Sequence, residues 1–285
     1  MSLTAFLLVI IAAILHAVWN LLTKRVSGKL PFFWLVSVAS CIIYLPVVWY
    51  QLVQEHVVYN YVVLGFAFGS AVLHIFYFLV LQAGYRKADL SVVYPVARGA
   101  GPLFSVTGAV ILFGERPGFM AIIGIVLIIT GVVVMTGIKL QRGTAVMKGL
   151  EYGLLTGVFI ASYTLWDKAG VVQHNVSAVF ITFASMLLPL IILTPVAYKK
   201  QEEVKLEVRT HWKEIVAVAV FQPLSYILVL IAMKTTPLTY VAPVREVSIV
   251  FGVLFGINLL KEKDSVKRII AAVIILGGIA MLALG

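Results

Sequence analysis

Three charged residues lie where an apolar chain should not carry them: Arg98, Arg245 and Glu246. Arg98 falls about nine residues into LSVVYPVARGAGPLFSVTGAVILF, which begins at Leu90. At roughly 1.5 Å per residue it is on the order of 14 Å along a helix. A cation that deep in hydrocarbon costs at least about 2.5 kcal/mol, so it must face a protein interior or a wet cavity. Arginine offers a planar fork of donors that matches carboxylate or phosphonate oxygens. Arg98 and Arg245 therefore read as anion-binding groups on either side of a central cavity. The alternatives are structural: each binds freed carbonyls or an internal carboxylate, and Arg245 snorkels to the outer surface. Glu246 is the one carboxylate well inside a predicted helix. A buried carboxyl can exchange a proton near neutrality, which makes it a coupling residue. It serves equally as the partner of Arg98 or Arg245 in an ion pair holding two parts of the chain together.

Around these charges lie stripes of polar and aromatic residues. His16, Trp19, Asn20 and Thr23 share one helix face. Ser70, His74 and Tyr77 form a second stripe, and Ser91, Tyr94, Arg98, Gly101 and Ser105 a third. Ser162, Tyr163 and Trp166 form a fourth, with Trp166 near the helix end and suited to an interfacial anchor. Gln222, Ser225 and Tyr226 form the last. His16, Trp19, Asn20, His74, Tyr77, Tyr94, Gln222 and Tyr226 are the expected cavity lining. Histidine and glutamine can instead serve as hydrogen-bond partners between helices. Pro95, Pro102, Pro223 and Pro243 break helical hydrogen bonding and release carbonyls, including those of Ser91, Arg98 and Ala219. Broken backbone at membrane depth belongs where protein or a cavity surrounds it. Gly65 and Gly69 have a spacing that suits close helix packing.

The elements that must hold these residues are membrane helices. The chain has 285 residues, 62% hydrophobic and 12% charged, with a mean hydropathy of +1.06. A soluble domain carries about 25% charged residues. The net charge of +10 suits basic loops at a cytoplasmic membrane face better than nucleic-acid binding. Cys41 is the only cysteine, so no internal disulfide forms. The first apolar run lacks a basic leader and continues to Leu22, too long for a signal-peptide core. Ten segments are apolar enough to span: 3–22, 31–51, 60–83, 89–113, 117–138, 148–169, 176–198, 212–233, 238–260 and 266–284. Connections are short, and the longest, Lys199–Lys213, reads as a solvated charged connector. Loops after odd-numbered helices hold 17 of the 22 Lys and Arg. Those loops are therefore cytoplasmic and both termini lie outside.

The chain also repeats itself. QAGYRKADLSVVYPVAR matches IAMKTTPLTYVAPVR around Pro95 and Pro243. Arg98 then falls on Arg245, Glu115 on Glu262 and Gly131 on Gly278; WNLLTK at 19–24 resembles YTLWDK at 163–168 more weakly. Glu115 and Glu262 close helices 4 and 9 and suit capping or contacts between repeats. Five helices per half require the second half to enter the membrane inverted, a mark of secondary transporters with a midplane site. The predicted fold is thus an all-α integral membrane protein of ten transmembrane helices, with repeats at 1–140 and 141–285.

LFGERPGFMAIIGIVLIITGVVVM at 112–135, with its second copy at 259–282, resembles the EamA-type branch of the drug/metabolite transporter superfamily. In the second copy Lys261 replaces Gly114. The resemblance covers the whole chain. It implies a secondary transporter in the cell (inner) membrane, an exporter of amino acids, other metabolites or drugs. With two deep arginines, an organic anion or zwitterion is favoured, and the aromatic residues also admit an amphipathic drug. No metal-ligand spacing or phosphate-binding loop is present, so no metal, cofactor or ATP is expected. An intramembrane lipid-modifying enzyme is the competing class, yet no catalytic acid pair is evident. The expected partners are a small-molecule substrate and the bilayer, and one chain holding both repeats could complete a pathway as a monomer.

Overall fold

A computed structural model describes residues 1–26, 30–54, 60–88, 90–136, 144–252 and 265–284. Every regular element among them is a helix: α1 Leu3–Arg25, α2 Leu30–Gln54, α3 Tyr61–Lys87, α4 Leu90–Phe113, α5 Phe119–Thr136, α6 Thr144–Lys168, α7 Ala178–Lys199, α8 Gln201–Met233, α9 Leu238–Arg245 and α10 Ser265–Leu284. A π-helical turn, Ala169–Gln173, extends α6. Helical backbone resumes after α9 at 247–252. Among the described residues α1, α2, α3, α4, α7 and α8 are long and apolar enough to cross a membrane, while α5 and α10 are shorter apolar helices. Side chains start three of them. Ser2 Oγ accepts from the Ala5 N–H, Asn60 Oδ1 from Val63 and Ser177 Oγ from Phe180, each satisfying an orphan amide of the first turn.

The two halves interlock. α1 packs on α8 as α6 packs on α3, and α2 on α8 as α7 on α3, while α2 meets α7 and α5 meets α10. The α5–α10 contact is antiparallel and reciprocal. A Cβ on Gly124 would lie 2.5 Å from the Gly278 carbonyl, and one on Gly131 would lie 3.0 Å from the Ala271 carbonyl. In the repeat alignment Gly124 corresponds to Ala271 and Gly131 to Gly278, so each contact is the image of the other. α4 and α6 run parallel along a seam of small residues. Gly149, Gly153 and Gly157 face Val92, Val96 and Ala100 so closely that any added Cβ would clash.

The elements depart from expectation in three places. The connector Lys199–Lys213 is helical: α8 begins at Gln201 and bends at His211, where φ is −128°. Glu202 and Glu203 favour that helix start, and Lys205 and Lys200 pair with them across one turn. The predicted helix 238–260 breaks at Glu246, because Pro243 lacks an N–H and the Glu246 amide turns back to the Pro243 carbonyl. α4, by contrast, runs unbroken through Pro95 and Pro102; the side chains of Ser91 and Pro95 lie outside the described residues, as does Glu262. In α8, Pro223 frees the Ala219 carbonyl as expected. The Ser40 hydroxyl of α2 donates to it at 3.1 Å, and Tyr44 donates to Val220 at 2.8 Å.

Candidate functional site

The break at Glu246 brings its carboxylate against α4. Arg98 Nη2 lies 2.9 Å from Glu246 Oε2 and donates to Ser248 Oγ at 3.1 Å. Both side chains are largely buried, at 15% and 5% exposure. The pair is incompletely bonded. Arg98 Nε has no acceptor, and Glu246 Oε2 is close to the guanidinium without hydrogen-bond alignment. The second half of the chain thus supplies the counter-anion for a cation in the first half. Tyr94, one turn before Arg98, is 41% exposed.

Behind this pair lies a cluster of rings from three helices. His74 of α3 stacks on Tyr163 of α6 at 4.1 Å and meets Tyr226 of α8 edge-on at 5.6 Å. Tyr77 meets Tyr163 at 5.8 Å, and Tyr163 meets Tyr226 at 6.0 Å. Such edge-to-face contacts suit the ring quadrupoles. His74 is oriented by the Ser70 carbonyl, 2.8 Å from Nδ1. The Arg245 guanidinium lies 5.5 Å from the centre of the Tyr226 ring, a cation–π contact. It points inward and does not snorkel. Arg245 and Glu246 also line a small cavity of about 20 Å³ with Ser105 and Thr164, room for about one water molecule.

The Tyr226 hydroxyl donates to Asp167 Oδ2 at 2.6 Å. Asp167 is fully buried. Its Oδ1 has no hydrogen-bond partner. Beside it, Lys168 is turned away, over the Phe113 ring and onto Glu115. Glu115 also accepts from the Leu238 and Thr239 amides at 2.9 and 2.8 Å. It thereby caps α9 from the other repeat, at the positive end of the helix dipole. Gly114, at φ +65°, makes the turn that aims Glu115 there. Among the described residues no group of three or more His, Cys, Asp or Glu could hold a metal ion.

The structure thus gathers Arg98, Glu246, His74, Tyr77, Tyr226 and Arg245 into one region. His16 stands edge-on to Trp19 at 4.9 Å and within the fields of Arg98 and Arg245. Asn20 is exposed and donates to its own helix at the His16 carbonyl. The Trp19 indole N–H is buried without an acceptor, and its ring packs on a separate core around Phe32. Gln222 is exposed. Trp166 bridges two helices: its indole donates to the Phe66 carbonyl at 2.9 Å, and its ring covers Gly69. Gly65, expected to pack, has open space around it. Asp167 and Ser248 were not anticipated. Asp167 was within reach: aligning YTLWDK with WNLLTK puts it opposite Thr23, on the stripe that begins at His16.

Residues 3–137 and 147–284 each match the model of the EamA-like transporter family. No curated protein matches the chain. A crystal structure described as "Crystal structure of protein" is 18% identical and covers 100% of this chain and 98% of its own, with a TM-score of 0.76. At that identity the likeness establishes a shared fold.

Proposed function

This chain belongs to the EamA-like transporter family, and from that premise we propose that it is a secondary carrier exporting a small organic anion or zwitterion, such as an amino acid, across the cell membrane. One observation carries the substrate class: Arg98 is buried with an incompletely bonded guanidinium, facing a carboxylate it can exchange. A substrate carboxylate or phosphonate that takes two of its N–H groups would make better hydrogen bonds than Glu246 does. Binding would then release Glu246 from α4 and loosen a contact between the repeats, which links occupancy to conformation. Tyr94 and Tyr77 stand where the organic part of the substrate would lie, with Arg245 as the second cation.

The reciprocal α5–α10 contact and the exchange of helix partners between halves support two inverted five-helix repeats, ten spans and alternating access about a central site. The loop cations support cytoplasmic odd-numbered loops and external termini. Both repeats lie in one chain, which suits a working monomer. The aromatic cluster also favours a second reading, efflux of amphipathic drugs, for which Arg98 would be dispensable.

The test is counterflow in proteoliposomes with a panel of radiolabelled amino acids, organic acids, phosphonates and lipophilic cations. The expected result is trans-stimulated movement of an anionic or zwitterionic compound, lost in Arg98→Gln. Movement of lipophilic cations alone, indifferent to Arg98, would replace this reading with the drug carrier. Chemical conversion of a lipid substrate without counterflow would replace it with an enzyme.

A further inference from the structure

Among the described residues Asp167 and Glu246 are the most deeply buried carboxyl groups, and they are treated differently. Glu246 has a guanidinium 2.9 Å away. Asp167 has no Lys, Arg or His within ion-pair distance among the described residues, although it is the more deeply buried. Groups face it from every element packed around it. Tyr226 of α8 donates to Oδ2. The Ser70 hydroxyl of α3 points towards the carboxyl, and His74, one turn on, lies against the same tyrosines. On its own helix Tyr163 flanks it, while Lys168 is held by Glu115. Arg245 of α9 lies against the Tyr226 ring, whose hydroxyl is bonded to Asp167. Oδ2 thus takes a 2.6 Å hydrogen bond from Tyr226, while Oδ1 is enclosed, with the Ser70 hydroxyl nearby but no hydrogen bond of good geometry. An ionised carboxylate so placed lacks a compensating charge, and burying it uncompensated is strongly disfavoured. A protonated one needs no counter-ion. It keeps the Tyr226 bond at Oδ2 and carries its hydrogen at Oδ1.

We propose that Asp167 is the group that takes up and releases the proton driving this carrier, with Tyr226 linking its protonation to the substrate site. The proposal rests on the carrier reading above. The step is a plain proton transfer: carboxylate and a proton from water on one side give the neutral acid, which returns the proton to water on the other side. Tyr226 is bonded to Asp167 at one end and covered by Arg245 over its ring. When Asp167 ionises, the attraction between its charge and Arg245 grows, and Tyr226 touches both, Asp167 through its hydroxyl and Arg245 through its ring. Moving that ring disturbs His74 and Tyr163, which pack on it, and through Tyr163 the neighbouring Tyr77.

The test has an arm that needs no substrate. Purified full-length protein in lipid vesicles is titrated by pH-difference infrared spectroscopy, comparing wild type, Asp167→Asn and Glu246→Gln. A protonated-carboxyl band that titrates in the wild type, persists in Glu246→Gln and vanishes in Asp167→Asn is expected. Loss of the band in Glu246→Gln with retention in Asp167→Asn, or no titrating band at all, would overturn the proposal. Should Asp167→Asn not fold, Tyr226→Phe is expected to move the midpoint of the same band, and an unmoved midpoint counts against it. In proteoliposomes, with the compound found by counterflow, Asp167→Asn is expected to keep exchange but lose at least tenfold of the accumulation driven by a pH gradient. A wild type driven by sodium and indifferent to pH, or an Asp167→Asn variant still driven by pH, would also overturn it. Absence of counterflow in the wild type would instead refute the carrier reading, while the infrared titration still reports on Asp167.

Discussion

Glu115 with Lys168 and Arg98 with Glu246 are both buried ion pairs, and both join the first half of the chain to the second. They differ in how completely they are satisfied. Glu115 accepts from the lysine and from two backbone amides, so both of its oxygens are used. Arg98 and Glu246 touch at 2.9 Å but leave the arginine Nε bare and the carboxylate oxygen misaligned. A fully bonded buried pair has nothing to gain from a newcomer. An under-bonded one can improve its bonding by accepting a ligand. The first arrangement suits a fixed closure at one end of the bundle, and the second suits a site that must exchange partners.

That contrast can be broken most sharply at Glu115. Glu115→Ala leaves a buried lysine and two helix-start amides without an acceptor, and should lower stability by about 3–5 kcal/mol, read from thermal unfolding in detergent. Glu115→Gln combined with Lys168→Met should recover part of that loss; no recovery would mean that the pair is not the source of the stability. Arg98→Gln is next. It should cost at least about tenfold in transport of an anionic substrate, with a smaller fall in melting temperature than Glu115→Ala. A larger fall would make Arg98–Glu246 the structural pair and reverse the comparison. Glu246→Gln removes the internal competitor but keeps its shape. It should lower the apparent KM for an anion roughly tenfold, corresponding to about 1.4 kcal/mol, and an unchanged or raised KM would argue against exchange. The smallest effect belongs to an exposed pair: Lys200→Ala, which breaks the contact with Glu203, should change stability by less than about 1 kcal/mol.

The helices and the repeat were legible because apolar run length and the Pro–Arg–Glu spacing are local properties of the text. The pairing of Arg98 with Glu246 was one of several open possibilities. It could not be chosen, because which of two arginines meets the carboxylate depends on a turn at Glu246 that only three-dimensional packing reveals. Asp167 was passed over because it stands beside Lys168 near a helix end, where charge usually meets water. Its burial follows from α3 and α8 closing over it, a contact between segments far apart in sequence. The Lys199–Lys213 segment read as a connector because its charge hid its helical propensity. The stripe logic picked Gln222, Asn20 and Tyr226 from spacing alone. Spacing assigns a face to a residue but not what that face meets: Tyr226 meets the ring cluster, while Asn20 and Gln222 are exposed, Asn20 with its amide bonded to the His16 carbonyl.

One last consequence lies in the hydroxyls of Ser40 and Tyr44, which occupy the carbonyls around Pro223. A proline in a helix is ordinarily a joint, since the carbonyl it frees gives the rod slack. Here α2 has splinted the joint: flexing α8 there would mean breaking two hydrogen bonds to a neighbouring helix. α8 and α2 are thereby fastened into one stiff strut, whereas the turn at Glu246 is braced by the contacts of Arg98, which a ligand can take over.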